Sequence, residues 1–310
     1  MAARNRGDDP QAAWAGRLVR GPQFTMPLGS GPGRALEGFW RELFASVPPG
    51  ARVLEIGCGG GHVSLWAAEA GGGFRIVASD LHAHPEGVHR HPAISFVGGA
   101  RAEALPFASG SFDLVVSNFA IEYGQPEKAY PELIRVLAPH ASAALVLHSA
   151  DSTVTANSRF AIETFGRFEA TGIPEQIRKA AALRADHLSR RKLLKEALQR
   201  RGEIPAQPPA ASYFAIAERL LKGEPSARQD LEALDEEVAM RLSLYRDQLR
   251  VALDRPAFQS LCSSLSRQGL DVRVSDFICT YTDGPPEKVG WILLLAKTAP
   301  SPLQPLAAGV

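Results

Sequence analysis

The spacing of apolar residues changes along the chain, and each change marks a different kind of predicted structure. Between residues 36 and 47 apolar side chains recur at helical spacing, which predicts a helix over "PGRALEGFWRELFASV". From Arg52 onward, short apolar runs alternate with helix-length segments. The predicted strands are "RVLEI", "FRIVASD", "ISFVG", "FDLVVSN" and "AALVLHS", separated by helices such as "GHVSLWAAEAG" and "PEKAYPELIRVLAPH", which Pro131 should bend or delay. This alternation is typical of βαβ units in a parallel sheet.

The alternation stops after Ser149, and residues 155–254 have helical patterns almost throughout. We expect "IPEQIRKAAALRADHLSRRKLLKEALQRRG" to be one long helix or a broken pair. "SARQDLEALDEEVAMRLSLYRDQLRVAL" is a further helix, which opens with a capping-box pattern at Ser226 and Gln229. Strand character then returns in "LDVRVSDFICTYT" and "GWILLLAKT", which should form an antiparallel hairpin around "DGPPEKV".

These patterns predict an α/β fold with a large helical insertion. The expected segments are an N-terminal arm and helix (1–47), an α/β core that holds the ligand (48–150), the helical insertion (151–265), a terminal hairpin that completes the sheet (266–299) and a disordered tail (300–310). The insertion is far longer than an ordinary connection. We expect it to form a lid over the substrate or a contact between subunits of a homodimer.

Composition and charge exclude several classes of protein. The 310 residues carry a net charge of +1 and are 45% hydrophobic and 22% charged, which suits an ordinary globular core and does not favour a nucleic-acid partner. The three cysteines lie far apart, so we expect a reducing, cytoplasmic environment. The first residues contain no apolar targeting segment, and the longest apolar run, "WILLLA", is too short to span a bilayer.

The most informative stretch is the glycine turn "RVLEIGCGGGH" at residues 52–62. A dinucleotide fingerprint would have a glycine where His62 stands, and a P-loop would continue with Gly-Lys-Ser/Thr. Glu55 would repel a pyrophosphate but suits a ligand that carries an ammonium or sulfonium group. Asp80 follows about twenty residues later, where an acid accepts hydrogen bonds from ribose hydroxyls. The turn therefore favours a nucleoside with a positive charge.

Four motifs in this order, "VLEIGCGGGH", Asp80, "AEALPF" and "SFDLVVSN", resemble the class I S-adenosylmethionine-dependent methyltransferases, in particular their small-molecule branch. The resemblance covers roughly residues 50–150. It implies a Rossmann-like, doubly wound, mostly parallel seven-stranded sheet whose last strand is reversed, which the final hairpin fits. It also implies S-adenosyl-L-methionine as the cofactor and a transferase that acts in the biosynthesis of small molecules.

The resemblance assigns cofactor contacts residue by residue. Gly57, Gly59 and Glu55, with Cys58 in the same turn, would line the methionine part. Asp80 would hold the ribose, Leu81 would pack on the adenine, Ala102 would offer its backbone N–H to the ring, and Asn118 would lie beneath the sulfonium.

One position departs from the family. Many relatives have an acid that accepts the adenine amino group where this chain has Arg101. Arginine cannot accept a hydrogen bond, although it could stack on the ring. We therefore expect adenine to be recognised mainly by backbone atoms.

Candidate catalytic residues lie where the strands end. His148 follows strand five and could act as a general base, or could be a structural histidine. Glu122 and Tyr123 could orient an acceptor, or could cap and pack on the next helix. Asp151 could orient His148, and His62 more simply makes a local bond.

Transfer to oxygen on a small, partly apolar metabolite is preferred over nitrogen or carbon. An RNA- or protein-directed methyltransferase and a non-methylating S-adenosylmethionine-binding protein remain alternatives.

Two further charged clusters have simpler interpretations. Four histidines in "LHAHPEGVHRH" lack zinc-ligand spacing, so no metal site is predicted. The basic residues of 178–201 face an acidic counterpart in 230–237, which favours charge balance within the protein over binding of nucleic acid.

Overall fold

The computed structural model describes residues 31–82, 91–183, 187–204, 209–281 and 284–297. The predicted N-terminal arm before residue 31 lies outside the described residues. So do most of the histidine-rich loop and the tail at 300–310. In the described part of the chain, no helix combines the length and the apolar character needed to cross a membrane.

The described residues contain a seven-stranded sheet of order β3-β2-β1-β4-β5-β7-β6. Strands β1 to β5 are parallel to one another, and β7 runs antiparallel to both β5 and β6. The strands are β1 Arg52–Ile56, β2 Arg75–Asp80, β3 Ile94–Gly98, β4 Phe112–Asn118, β5 Leu137–Leu147, β6 Leu270–Tyr281 and β7 Gly284–Lys297. The predicted doubly wound sheet with a reversed last strand is confirmed.

Helices connect the strands, and most of them lie in the long segment between β5 and β6. They are α1 Gly31–Ala45, α2 His62–Glu69, α3 Pro126–Val136, α4 Thr153–Ala170, α5 Ile173–Ala182, α6 Leu188–Gln199, α7 Ala210–Lys222, α8 Ala227–Val251 and α9 Arg255–Arg267. Short 3-10 turns occupy Ile121–Tyr123 and Arg200–Glu203. The broken-pair alternative is the one found, because α5 and α6 are separate helices.

Both faces of the sheet are covered, which explains why the central strands are apolar at consecutive positions. In β1, Val53 joins the hydrophobic cluster that also contains Trp40 and Phe44 of α1. The next residue, Leu54, points to the opposite face and packs in the cluster that contains Leu133 of α3. Successive strand residues alternate between faces, so a strand buried on both sides needs apolar residues throughout.

The boundary between α3 and β5 differs from the sequence prediction. The helix was expected to reach residue 140, but it ends at Val136, and β5 begins at Leu137. Pro139 lacks a backbone N–H and disfavours helical geometry at Ala138, so the chain cannot continue the helix. Pro131 lies within α3 without ending it.

The terminal hairpin is also longer than predicted. "DGPPEKV" was expected to be its loop, but β6 extends to Tyr281 and β7 starts at Gly284. Within β7, the pairing with β5 covers Trp291–Ala296, so Pro285 and Pro286 lie where β6 is the only strand of the described residues that neighbours β7. Prolines are tolerated there because they interrupt no central ladder.

Residues 157–246 form a compact helical unit inserted into the α/β unit. This unit is shorter than the predicted insertion of 151–265, because Phe258 and Leu265 of α9 belong to a core cluster of the sheet. The helical unit has its own hydrophobic core, which includes Tyr213 and Phe214.

The predicted charge balance within the helical unit is present. Arg178 on α5 binds Asp235 on α8 at 3.0 Å and Glu169 on α4 at 2.8 Å.

Candidate active site

Candidate residues collect at the carboxyl edge of the parallel sheet, where ligands of open α/β sheets bind. The glycine turn follows β1, Asp80 ends β2, Asn118 ends β4, and His148 comes directly after β5. Each position is set by the end of a neighbouring parallel strand. The sheet therefore brings together residues that lie far apart in the sequence.

The glycine turn has a backbone shape that requires glycine. Gly57, Gly59 and Gly61 have φ angles of 69°, 50° and 78°, in the left-handed region that other residues rarely adopt. The N–H groups of Gly57 and Cys58 both donate to the carbonyl oxygen of Ser79, at 2.8 and 3.0 Å. A Cβ atom on Gly57 would lie 2.3 Å from that of Ala120, whereas one on Gly59 would meet nothing within 4 Å. The turn is packed on its inner side and open at Gly59.

Asp80 connects the end of β2 to this turn. Its Oδ2 accepts a hydrogen bond from the Gly59 N–H at 2.8 Å, and its Oδ1 accepts one from the His82 N–H at 3.0 Å. The carboxylate is half-buried and lies beside the open part of the glycine turn. This is the position at which an acid can hold ribose hydroxyls.

Glu55 is buried beneath the turn. Its Oε2 accepts hydrogen bonds from the N–H of Ser64, at 2.9 Å, and from the Ser64 hydroxyl. Burial raises the pKa of Glu55 to about 8, although both bonds from Ser64 act to lower it. The side chain is therefore mostly protonated near neutral pH, whereas the sequence led us to expect an anion facing the ligand. Its direct interaction is with the first turn of α2.

Two other residues of the turn are shielded from water, Cys58 being buried and His62 half-buried. Cys58 is 6% exposed, and burial raises the pKa of its thiol, which makes it a poor nucleophile. The imidazole of His62 stacks on Trp66 with 6.1 Å between ring centroids. Burial lowers the pKa of His62, which Glu37 opposes, and this favours the neutral ring.

The predicted adenine side lies beside the end of β2. The N–H of Ala100 donates to the carbonyl oxygen of Asp80 at 3.0 Å, which holds the following turn next to that strand end. Leu81 and Ala102 are half-buried, and Arg101 is exposed. Arg101 forms an isolated backbone bridge with Ala104.

Asn118 is held by a residue that the sequence analysis assigned only to the core stripe of a helix. The indole Nε1 of Trp40, on α1, donates to the Asn118 Oδ1 at 3.2 Å. The sequence shows the amphipathic stripe that contains Trp40, but not that its polar edge reaches the end of β4.

His148 and Glu122 form a buried pair. The Nδ1 of His148 lies 2.8 Å from the Glu122 Oε1, and the same oxygen accepts the His148 backbone N–H at 3.0 Å. The side chains of the two residues are 4% and 3% exposed. The Glu122 Oε1 already accepts the backbone N–H, so Nδ1 is assigned as the second donor, and Nε2 is the acceptor atom of that ring tautomer.

Aromatic rings surround this imidazole. Tyr123 contacts it edge-on with centroids 5.8 Å apart, and Phe119 lies 4.5 Å away. Phe119 has a φ angle of 52°, which is unusual outside glycine and which sequence patterns do not reveal. The Phe119 ring also lies where a Cβ on Gly290 would come within 3.0 Å of it.

Asp151 does not orient His148, as one reading of the sequence suggested. Its Oδ1 accepts the hydroxyl of Ser149 and pairs with the Lys288 Nζ at 2.9 Å. Glu122 is the orienting carboxylate, because the 3-10 turn after β4 brings it next to the end of β5.

The donor set fits a nucleoside with a positive charge better than a pyrophosphate. The turn from Glu55 to His62 contains no lysine or arginine, and Asp80 lies beside its open glycine. The backbone leaves space at Gly59, where a Cβ atom would otherwise stand. Three features are together typical of Rossmann-like methyltransferases. They are the glycine turn, the acid Asp80 at the end of β2, and the order of the strands in the sheet.

Comparison with known proteins agrees with this class. Residues 54–145 match a family model described as "Methyltransferase domain". A demethylmenaquinone methyltransferase of Renibacterium salmoninarum is 40% identical over 106 residues, which are 32% of this chain and 44% of that protein. A malonyl-[acyl-carrier protein] O-methyltransferase of Enterobacter lignolyticus is 38% identical over 104 residues, 33% of this chain and 41% of that protein. The chain thus spans less than half the length of either relative.

A solved structure from Thermotoga maritima, described as a possible histamine N-methyltransferase, aligns with 84% of this chain and 89% of its own, at 13% identity and a TM-score of 0.42. By the match to the family model, residues 54–145 belong to a methyltransferase domain, whose cofactor is S-adenosyl-L-methionine.

Proposed function

We propose that this protein transfers the methyl group of S-adenosylmethionine to an oxygen atom of a small, partly apolar metabolite, with His148 as the general base. The observation that carries the proposal is the bond between His148 and Glu122. It fixes the ring and leaves Nε2 as the proton acceptor. A general base is useful when the nucleophile is a hydroxyl group.

The residues divide the work as follows. The cofactor supplies an electrophilic methyl group on a sulfonium. Asp80 and the backbone of the glycine turn would bind the nucleoside and methionine parts, and Asn118 would contact the cofactor from the end of β4. His148 takes the proton from the acceptor hydroxyl through Nε2, and Glu122 holds the imidazole and stabilises its charged form.

The surroundings of His148 support an apolar acceptor. Phe119 and Tyr123 lie against the imidazole, and rings of this kind exclude water and favour apolar ligand surface. The relative from Enterobacter lignolyticus, whose name is that of an O-methyltransferase, adds support for oxygen. The cysteines Cys58, Cys262 and Cys279 are free thiols, which fits the cytoplasmic location that we propose. A lid or homodimer role for residues 151–265 stays a prediction.

Incubation of the purified protein with S-adenosylmethionine and a panel of small hydroxyl compounds tests the function, with S-adenosylhomocysteine release as the readout. On the acceptor that turns over, His148→Ala and His148→Gln should lower kcat by about 100-fold or more. The control is His140→Asn, because His140 is exposed, lies in the irregular stretch between the paired residues Leu137 and Ser142 of β5, and has a φ of 65° that asparagine tolerates. Full turnover by both His148 variants would exclude the base role.

A further inference from the structure

We propose that Trp40 of α1 is a positioning residue for the cofactor site, because it sets the orientation of the Asn118 side-chain amide. The inference deepens the proposed function and depends on the cofactor site described there. Trp40 and Asn118 are 78 residues apart in the sequence, and their side chains join at 3.2 Å. The N-terminal helix thereby contributes to the site through a hydrogen bond as well as through packing.

The chemistry of the indole decides which way the amide faces. A tryptophan N–H can only donate, so the atom opposite it must be the carbonyl oxygen of Asn118 and not its amino group. The Nδ2 amino group is then held on the side away from Trp40. Asn118 therefore presents hydrogen-bond donors to a ligand, and its partner is an oxygen acceptor such as a carboxylate.

Trp40 is fixed well enough to impose this choice. It is 0% exposed, and its ring stacks on Phe44 and meets Phe39 edge-on, with centroid distances of 6.2 and 4.9 Å. A side chain packed on both sides holds its N–H in one direction. Because packing already orders Trp40, forming the hydrogen bond costs little further conformational entropy at Trp40, and the bond orients Asn118.

The backbone around Asn118 is held in place, so the rotation of its side-chain amide decides what the residue presents to a ligand. Asn118 is the last residue of β4, and the next residue, Phe119, has a φ of 52°. The Phe119 N–H still donates to the Val146 carbonyl oxygen at 2.7 Å, which holds the chain at this bend. The backbone is thus fixed on both sides, and the amide rotation is the remaining freedom that Trp40 removes.

Four variants separate this role from simple core packing. Trp40→Phe keeps an aromatic ring and removes the donor. Asn118→Asp keeps an acceptor for the indole and removes the donor that faces the ligand. The double variant completes a cycle, and Phe74→Leu perturbs the same hydrophobic cluster at a ring that packs on Phe44. Isothermal titration calorimetry with S-adenosylhomocysteine gives the dissociation constant, and thermal unfolding gives the stability of each variant.

We expect Trp40→Phe to raise the dissociation constant about fivefold, the effect of losing one hydrogen bond. In the Asn118→Asp background the same substitution should change it by less than about twofold, because the oriented donor is already absent. Phe74→Leu should lower the melting temperature and leave the dissociation constant unchanged.

Two results would overturn the inference. One is an unchanged dissociation constant in Trp40→Phe. The other is an equal effect of Trp40→Phe in both backgrounds, which is the result for a residue that only packs. If the unsubstituted protein does not bind S-adenosylhomocysteine at all, the proposed function fails first and this inference fails with it.

Discussion

One carboxylate oxygen of Glu122 accepts both the backbone N–H and the ring Nδ1 of His148, at 3.0 and 2.8 Å. The two bonds hold the imidazole at its backbone and at its ring, so the side chain has a single orientation at the end of β5. Both residues are buried, and a hydrogen bond to a carboxylate is stronger in a buried site than at the surface. The arrangement resembles the histidine–acid unit of a general base.

Glu122→Gln should therefore lower kcat by about 10- to 100-fold. A glutamine amide can still accept from the backbone, but it has no charge to stabilise the imidazolium and no fixed preference for one ring tautomer. Steady-state kinetics on the acceptor should show little change in KM for S-adenosylmethionine, since the hydrogen bonds of Glu122 go to His148. Glu127→Gln, an exposed change in the first turn of α3, is the matched control. Unchanged kcat in Glu122→Gln would remove Glu122 from the mechanism.

The buried carboxyl of Glu55 should make stability depend on pH. Its pKa is about 8 in the folded protein, against 4.5 as the ordinary value. Between these two values the folded protein keeps a proton that the unfolded chain has released. Stability therefore falls as the pH rises through this window, and the fall levels off above about pH 8.

Glu55→Gln should abolish this dependence, because a glutamine does not ionise and can still accept from the Ser64 N–H. Urea denaturation at pH 5 and pH 8 measures it. Relative to the unsubstituted protein, the free energy of unfolding of Glu55→Gln should rise by about 2–5 kcal/mol between the two pH values. Glu127→Gln should show no such rise. An equal pH dependence in Glu55→Gln and the unsubstituted protein would mean that Glu55 is ionised in the fold.

The strand ends of the site could be predicted from sequence, because apolar runs locate buried strands and the residue after each run lies at the carboxyl edge. Asp80, Asn118 and His148 were placed in this way. The bonds of these residues were not predictable. The Trp40 bond to Asn118 depends on how α1 packs against the sheet, and the Glu55 bond to Ser64 depends on the direction in which α2 leaves the turn.

Backbone angles and the exact ends of helices and strands were also beyond what the sequence predicted. Phe119 adopts a left-handed backbone without being glycine, and no sequence pattern signals this. The sequence did contain a sign that β5 starts early, because Pro139 disfavours a helix. The apolar residues Leu137 and Ala138 nevertheless continue the helical pattern beyond Val136, where α3 ends. Sequence patterns locate elements better than they locate the boundaries or the side-chain partners.

Gly290 should tolerate no side chain. A Cβ atom there would lie 2.6 Å from the carbonyl oxygen of Leu147 and 3.0 Å from the ring of Phe119. The first contact is with the backbone of a central strand, which cannot move aside. Gly290→Ala should lower the free energy of unfolding by about 1–3 kcal/mol. Urea denaturation measures the change.

Gly166→Ala is the matched control for Gly290→Ala. Gly166 lies in α4, and a Cβ atom on it would meet nothing within 4 Å. Alanine stabilises a helix interior relative to glycine, so this variant should gain up to about 1 kcal/mol. If the two variants have equal stability, the close approach of β7 to Phe119 and Leu147 is not present in solution.

Arg178 should stabilise the helical unit far more than Arg228, an exposed arginine of the same unit. Its guanidinium, about one-third exposed, binds Asp235 and Glu169 and also donates to the hydroxyl of Tyr213 at 3.1 Å. Arg178→Leu leaves these partners without their cation and should cost about 1–3 kcal/mol. Arg228→Ala breaks only an exposed pair with Glu232 and should change stability by less than about 0.5 kcal/mol. Hydrogen exchange of residues 157–246 should increase in Arg178→Leu and not in Arg228→Ala. Equal exchange in the two variants would mean that the ion pairs of Arg178 contribute no more to stability than an exposed pair does.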